Sequence, residues 1–291
     1  MSDTEFFDAE KNKVVGGTLY LVTTPIGNMS DMTYRAVKVL SEVDFVAAED
    51  TRNSARLLRF FSINKELVSY HEHNKKSAGE KILARLQSGE SCALVTDAGT
   101  PAVSDPGEDL VRLCAGAGIP VTAAPGVSAA VTALTLSALD THRFVFEGFL
   151  PVGGSERAER LAALQDETRT AILYEAPHKL RRTLADLAET LGGERRISLC
   201  RELTKLNEEV FRTTLADAAA YYADAEPRGE YVLILAGAVE RGVQNAPWAS
   251  LSVAEHVDMY IAKGLTKSDA IKKAAKDRGV PKNVVYNEYV R

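Results

Sequence analysis

The sequence predicts an α/β fold: two α/β domains in series, followed by a small helical module. Three observations carry this. Short apolar runs alternate with helical patterns through most of the chain, joined by short connections, as in a mainly parallel sheet. The rhythm changes near Asp140, where a second alternation begins. Beyond Leu251 the pattern becomes helical and basic. A length of 291 residues is long for one compact core and comfortable for two domains plus an appendage.

The elements follow in order. Residues 1–16 read as a loose polar leader with no apolar segment after a basic start, hence no signal peptide. The first domain spans 17–140. "TLYLV" is a strand, "TTPIGN" its turn, and Ser30 or Asp31 caps a helix with Ala36, Val37, Leu40 and Val43 on one face. "DFVAA" is the second strand and ends in "EDTR"; "SARLLRFF" is helical. "ELVSYH" is the third strand, "AGEKILARLQ" a helix and "SCALVT" the fourth strand. In "SDPGEDLVRLCAGAG", Asp105 can cap a helix, Pro106 suits its first position and Glu108 can complete a capping box. "IPVTA" is the fifth strand, and Ser128 begins the helix "SAAVTALTLSAL".

The second domain spans 141–237. "RFVFEGFLP" alternates like a strand, "SERAERLAALQ" is helical, "RTAILYEAP" is a strand and "HKLRRTLADLAETLG" a helix. "RRISLCREL" and "GEYVLILAG" are further strands. Residues 238–250 read as a linker. The module over 251–291 holds helices at 253–263 and 267–278 around a "GLT" turn, then "GVPKNVVYNEYV" as a turn and a third helix. It carries eight Lys/Arg against five Asp/Glu, a net of +3 in a chain whose total is −5. Short helices, Gly-containing turns and basic charge suit a nucleic-acid-binding module, and suit equally a tail packed on the body or on a partner subunit.

Composition also excludes. Cys92, Cys114 and Cys200 are far apart and odd in number, which argues for buried thiols in a reducing compartment, not a disulfide framework. Val121–Leu139 has little charge, but its Pro125-Gly126 and many small residues do not make a membrane span. No phosphate-loop, dinucleotide-binding or nucleophile-elbow pattern is present. His71 and His73 in "YHEHN" lack a third ligand at zinc spacing and read as polar structure; no metal is expected.

Ligands of open α/β sheets bind beyond the carboxyl ends of the strands. Four such ends are unusual here: "TPIGN", "AEDTR", "DAGTPAVSDPG" and "APGVSAA". Their small residues allow close backbone approach, and Ser128 at a helix start adds donors for an anion. "EDTR" reads either as a helix start, with Asp50 or Thr51 as cap, or as a carboxylate base beside an anion-binding Arg52. "RELTK", with Arg201, Glu202 and Lys205, reads either as a surface ion-pair cluster or as part of a site.

Taken in order, "LYLVTTPIGN", "AAEDTR", "YHEHN", "VTDAGTPAVSDPG", "APGVSA", "FEGFLP", "YEAPHKL", "CRELTK" and "GEYVL" resemble the bacterial 16S rRNA 2′-O-ribose methyltransferases of the tetrapyrrole-methylase superfamily. The resemblance runs from about Thr18 to Gly237. It implies a cleft between the two α/β domains that binds S-adenosylmethionine. The matching cofactor positions are Pro25; Asp97, Ala98, Gly99, Val103 and Ser104; Ser128 and Ala129; Tyr174, Glu175 and Ala176; and Leu203. It implies a cytidine of the decoding region of 16S rRNA in the small ribosomal subunit as substrate, a homodimer, and a cytoplasmic protein without membrane attachment. Glu49 or Asp50 is the first candidate for the group that activates the ribose hydroxyl, with Lys205 second. Arg52 and Arg201 would hold phosphates, with His73 and Glu202 beside them on the substrate side. Where many members of the family carry a Lys soon after "FLP", this chain has Val152-Gly153-Gly154, so one RNA-facing charge is either missing or supplied by Arg157. Two other readings stay open: a porphyrinoid methyltransferase on the same scaffold, and a non-catalytic nucleic-acid-binding factor.

Overall fold

The computed structural model describes residues 13–238, 248 and 250–290. The expected leader and linker therefore fall mostly outside the described residues. The first sheet holds β1 (Leu19–Val22), β2 (Phe45–Ala48), β3 (Glu66–Ser69), β4 (Cys92–Val95) and β5 (Val121–Ala124). Their order is β3-β2-β4-β1-β5, and every pairing is parallel. Helices cover both faces of the sheet's centre, which explains why β1, β2 and β4 read as continuous apolar runs. Helices α1 (Tyr34–Glu42) and α2 (Thr51–Phe60) pack on the face of Tyr20, Val22, Val46, Ala48, Ala93 and Val95. Helices α3 (Lys75–Gln87) and α4 (Glu108–Gly116) pack on the face of Leu19, Phe45, Ala47, Cys92 and Leu94. The chain thus winds from β1 outward to β3 on one face and returns through β4 to β5 on the other. Neighbours β1 and β4 send their connections in opposite directions, and a crevice opens between them.

Two helix starts differ from expectation. Ser30 and Asp31 lie in a 3-10 turn capped by Asn28, whose Oδ1 accepts from Ser30 N at 3.0 Å. The α1 cap is Thr33, whose hydroxyl accepts from Ala36 N at 3.1 Å. Likewise α4 starts at Glu108 behind Gly107, with no side-chain cap, so Asp105 and Glu108 form no capping box. Asp105 is left for another role.

The second sheet holds β6 (Phe144–Phe149), β7 (Thr170–Glu175), β8 (Arg196–Arg201), β9 (Glu209–Thr214) and β10 (Tyr231–Leu235), in the order β6-β7-β10-β8-β9. Only β6 and β7 are parallel; the other pairs are antiparallel. Helices α6 (Gly154–Asp166), α7 (Pro177–Leu191) and α8 (Leu215–Asp224) cover one face. The other face packs against α5 (Ala129–Leu136), which follows β5 of the first sheet. Ala130, Ala133 and Leu134 of α5 meet Ile172, Cys200, Val232 and Ile234. β10 is therefore buried on both faces, with Tyr231, Leu233 and Leu235 toward the helices and Val232 and Ile234 toward α5. β9 and α8 went unread in the sequence: β9 is a half-exposed edge strand, and α8 is rich in Ala with little apolar periodicity.

At the C-terminal end, α9 (Val253–Ala262), α10 (Lys267–Arg278) and α11 (Lys282–Tyr289) pack around Val257, Ala270, Ile271, Ala274 and Val285. Ser252 and Glu255 form a capping box that starts α9, and Gly279, at φ +63°, ends α10. Cys92, Cys114 and Cys200 are free thiols, all buried. No helix among the described residues is long and apolar enough to cross a membrane.

Candidate active site

The loops after β1 and β4 meet at the crevice. Thr24 and Gly99 exchange backbone hydrogen bonds, Thr24 N to Gly99 O at 2.9 Å and Gly99 N to Thr24 O at 3.0 Å. The Thr24 hydroxyl donates to Thr96 O at 3.2 Å. Between Thr96 and Gly107 the backbone turns repeatedly through the left-handed region, including Ala102 at φ +67° and Ser104 at φ +61°. Such conformations cost energy in residues with a side chain and concentrate at ligand sites.

This loop forms one wall of a cleft of about 670 Å³ between the two sheets. Asp97, Ala98 and Gly99 line it from β4, and Ser128 and Ala129 from the start of α5. Tyr174, Glu175 and Ala176 line it from the end of β7. Ten of the twelve cofactor positions inferred from sequence, Val103 and Ser104 among them, meet here. Pro25 faces an adjoining cavity instead, and Leu203 is buried in the apolar seam with Ile26 and Val232.

Several side chains are fixed by their neighbours. The buried Glu175 accepts from the Thr183 hydroxyl at 2.5 Å and from Ala176 N at 2.9 Å. Thr183 is held in turn by Arg157 at 3.0 Å. Arg157 also donates to Asp186 at 2.8 Å and to Pro151 O at 2.9 Å, and its side chain is only 7% exposed. It is a buried strut beneath the site, and cannot replace a substrate-facing lysine.

The cleft carries five carboxyl groups: Glu175 is tied to Thr183 and Ala176 N, Glu230 sits at the rim, and Glu49, Asp97 and Asp105 cluster on the wall of the first domain. Thr96 is buried and donates its hydroxyl to Glu49 at 2.8 Å. Asn53 donates to Asp97 at 2.9 Å. Burial pushes the Asp105 carboxyl up to about 6; the charges of Glu49 and Asp97 add to the rise, and a hydrogen bond with Thr96 opposes it. The wall is thus acidic, with apolar surface from Ile26, Val103, Phe149 and Tyr174 opposite small residues. That donor set suits a ligand that is cationic at one end and flat and apolar at the other. Asp105 escaped sequence reasoning because "SDPG" matched a helix cap; its displacement from the helix start shows only in the structure.

A second cavity, of about 500 Å³, adjoins the first and shares Ile26, Asp97, Ala98 and Glu230 with it. Lys205 lies at this boundary. Its Nζ donates to Glu202 at 2.9 Å and to Glu230 at 2.8 Å. Gly27 makes the crossing possible, since a Cβ there would stand 2.4 Å from Lys205 Cγ. Burial pulls the Lys205 ammonium down, and the two ion pairs more than offset it, leaving the group above the ordinary lysine value. Lys205 is therefore a cation that ties the second sheet to the β1 loop, poorly suited to accept a proton.

The remaining candidates lie off the cleft. Asp50 caps α2 through Arg52 N at 2.8 Å and pairs with the Arg52 guanidinium, whose hydrogen bonds hold the carboxyl down at about 2. Arg52 itself is 86% exposed. Arg201 pairs with Glu209 at 2.9 Å, and Glu202 is occupied by Lys205 and by Glu230 N. His73 sits beyond the edge strand β3, its ring 5.9 Å from that of His71.

Comparison with known proteins identifies relatives of the whole chain. Residues 18–219 match the family described as Tetrapyrrole (Corrin/Porphyrin) Methylases. The chain is 48% identical to ribosomal RNA small subunit methyltransferase I of Halalkalibacterium halodurans, over 94% of each chain. It is 46% identical to the protein of that name from Bacillus subtilis, again over 94% of each. Among solved structures it resembles uroporphyrin-III C-methyltransferase from Thermus thermophilus, complexed with S-adenyl homocysteine. The TM-score is 0.55 at 20% identity, over 75% of this chain and 97% of that one, which is a likeness of fold.

Proposed function

We propose, for a chain that belongs to the tetrapyrrole (corrin/porphyrin) methylase family, that it methylates small-subunit ribosomal RNA with S-adenosylmethionine as donor, at the ribose 2′-hydroxyl of a decoding-region cytidine. The observation that supports this best is the acid-walled cleft at the crossing of β1 and β4, closed by the second sheet. Its size, its carboxylates and its apolar faces fit S-adenosylmethionine. Asp97, Glu49 and Asp105 would face the cationic end, and Tyr174 with Val103 the adenosine. When bound, the cofactor supplies an electrophilic methyl group on a leaving group that departs uncharged.

The protein's task is then to align a hydroxyl and to accept its proton. Glu49 and Asp105 share the Thr96 hydroxyl between them, and a proton taken by one is stabilised by the other's charge. Asp105 is the better acceptor, because its pKa of about 6 lies close to working pH. Glu49, hydrogen-bonded to Thr96, positions the pair. The basic helical module adds charge-driven affinity for the RNA backbone. A homodimer in the cytoplasm completes this reading.

Lys205 separates base from clamp. Lys205→Arg keeps the cation and is expected to retain most activity, while Lys205→Met is expected to lose about tenfold, near 1.4 kcal/mol. Both should keep the wild-type pH profile; collapse of the Arg variant would reinstate Lys205 as a base. The reading as a whole is tested by transfer of labelled methyl to small ribosomal subunits, followed by mapping of the modified ribose. Transfer to a porphyrinoid and none to subunits would overturn it.

A further inference from the structure

The second cavity adjoins the cofactor cleft and shares Asp97 and Ala98 with it, but most of its wall lies beyond the cofactor positions. We propose that it receives the target nucleotide, swung out of its RNA stack, with Phe60 against the base, Arg56 on a flanking phosphate and Asn53 reading the cytosine amine. This rests on the rRNA reading given above.

Four observations carry it. First, Asn53, Arg56 and Phe60 stand three and four residues apart on α2, so they form one stripe, and all three line this cavity. Second, the stripe is unlike an idle solvated face. Phe60 is 65% exposed, and Arg56 makes no ion pair among the described residues. An open aromatic face and an uncommitted guanidinium on one wall are what an unstacked base and its phosphate require. Third, the polarity runs in the right direction. The acids Asp97 and Glu230 belong to the boundary with the cofactor cleft, whereas Arg56 and Phe60 line the second cavity alone. A nucleotide lying this way turns its ribose hydroxyl toward Asp105 and Glu49 and its phosphate outward. Enzymes that act on one nucleotide of a folded RNA extrude it into such a pocket, and about 500 Å³ suits a ligand of that size.

Fourth, Asn53 is fixed in orientation. Its Nδ2 donates to Asp97 at 2.9 Å, which turns Oδ1 away as an acceptor. Cytosine presents an amine donor to that oxygen; uracil presents a carbonyl there and would be repelled.

Methyl transfer to small ribosomal subunits tests the assignment in the full-length protein, with S-adenosylmethionine binding followed by calorimetry and oligomeric state by light scattering. Phe60→Ala and Arg56→Ala are each expected to lower kcat/KM about tenfold, mainly through KM, with cofactor binding and oligomeric state unchanged. Phe60→Trp should restore transfer, because stacking needs only a flat face. Asn53→Ala should narrow the preference for subunits carrying cytidine over those carrying uridine at the target. Wild-type kinetics in Phe60→Ala and Arg56→Ala would overturn the assignment. So would a loss of transfer that tracks a changed oligomeric state, since the stripe would then be a subunit interface. Wild-type protein that methylates no subunits would overturn the underlying rRNA reading, and the assignment with it.

Discussion

Asp105→Asn is expected to slow methyl transfer about a hundredfold or more while making the protein more heat-stable at neutral pH. The two effects have one cause. Burial raises the Asp105 carboxyl from 3.8 to about 6, with the charges of Glu49 and Asp97 adding to it. In the unfolded chain the group keeps its ordinary value, so the folded state binds the extra proton between about pH 4 and pH 6. The raised pKa favours the folded state fully below the lower value and loses that advantage as pH rises through the upper one. Above it, the ionised carboxylate costs the fold on the order of 2 kcal/mol, the roughly 3 kcal/mol of the shift itself reduced by solvent screening at this half-buried group. Asn has the same shape without the charge. Its Tm should therefore exceed the wild-type value at pH 7.5 and approach it at pH 4, as calorimetry at both pH values would show. Transfer by the wild-type protein should fall as pH drops through about 6, and the Asn variant should lose that dependence. A lower Tm at pH 7.5 would mean that Asp105 is a structural residue.

The second large effect lies in the helical module. Lys272 and Lys276 are exposed on α10, four residues apart and so on one face. Lys272→Glu with Lys276→Glu reverses that face and leaves the core of Val257, Ile271 and Val285 untouched. Affinity for small ribosomal subunits is expected to fall about tenfold or more near physiological salt, and the dependence of log K on log salt to flatten by about two. Binding of S-adenosylmethionine should not change. An unaltered subunit affinity would instead assign the module to packing against a partner copy.

The sequence made the parallel sheet legible because its central strands β1, β2 and β4 are buried on both faces and the helices α1 and α2 each show one apolar stripe. It made the cleft legible because four loops at one sheet edge are dense in Gly, Pro and Asp. Three things were hidden. Asp105 fits a cap pattern that only Gly107 displaces. The pairing of Lys205 with Glu202 and Glu230 joins residues 25 positions apart or nearer, but the Gly27 contact that gives it meaning spans two sheets. The stripe on α2 reads as ordinary surface until Asp97 is seen beside Asn53. Local pattern reports which groups face inward; it cannot report which distant loop meets them.

The apolar helix α5 has a mechanical consequence. It follows the last strand of the first sheet and buries the face of Ala130, Ala133 and Leu134 in the core of the second, like a dowel fixed at one end to each board of a joint. Prying the boards apart would strip Ala130, Ala133 and Leu134 from Ile172, Val232 and Ile234 at the hydrophobic cost of exposing a core. The gap between the sheets thus has a set width. Traffic through it falls to the loops at its mouth, and small molecules should exchange by loop fluctuation on a nanosecond-to-microsecond scale, not by hinged opening of the whole body.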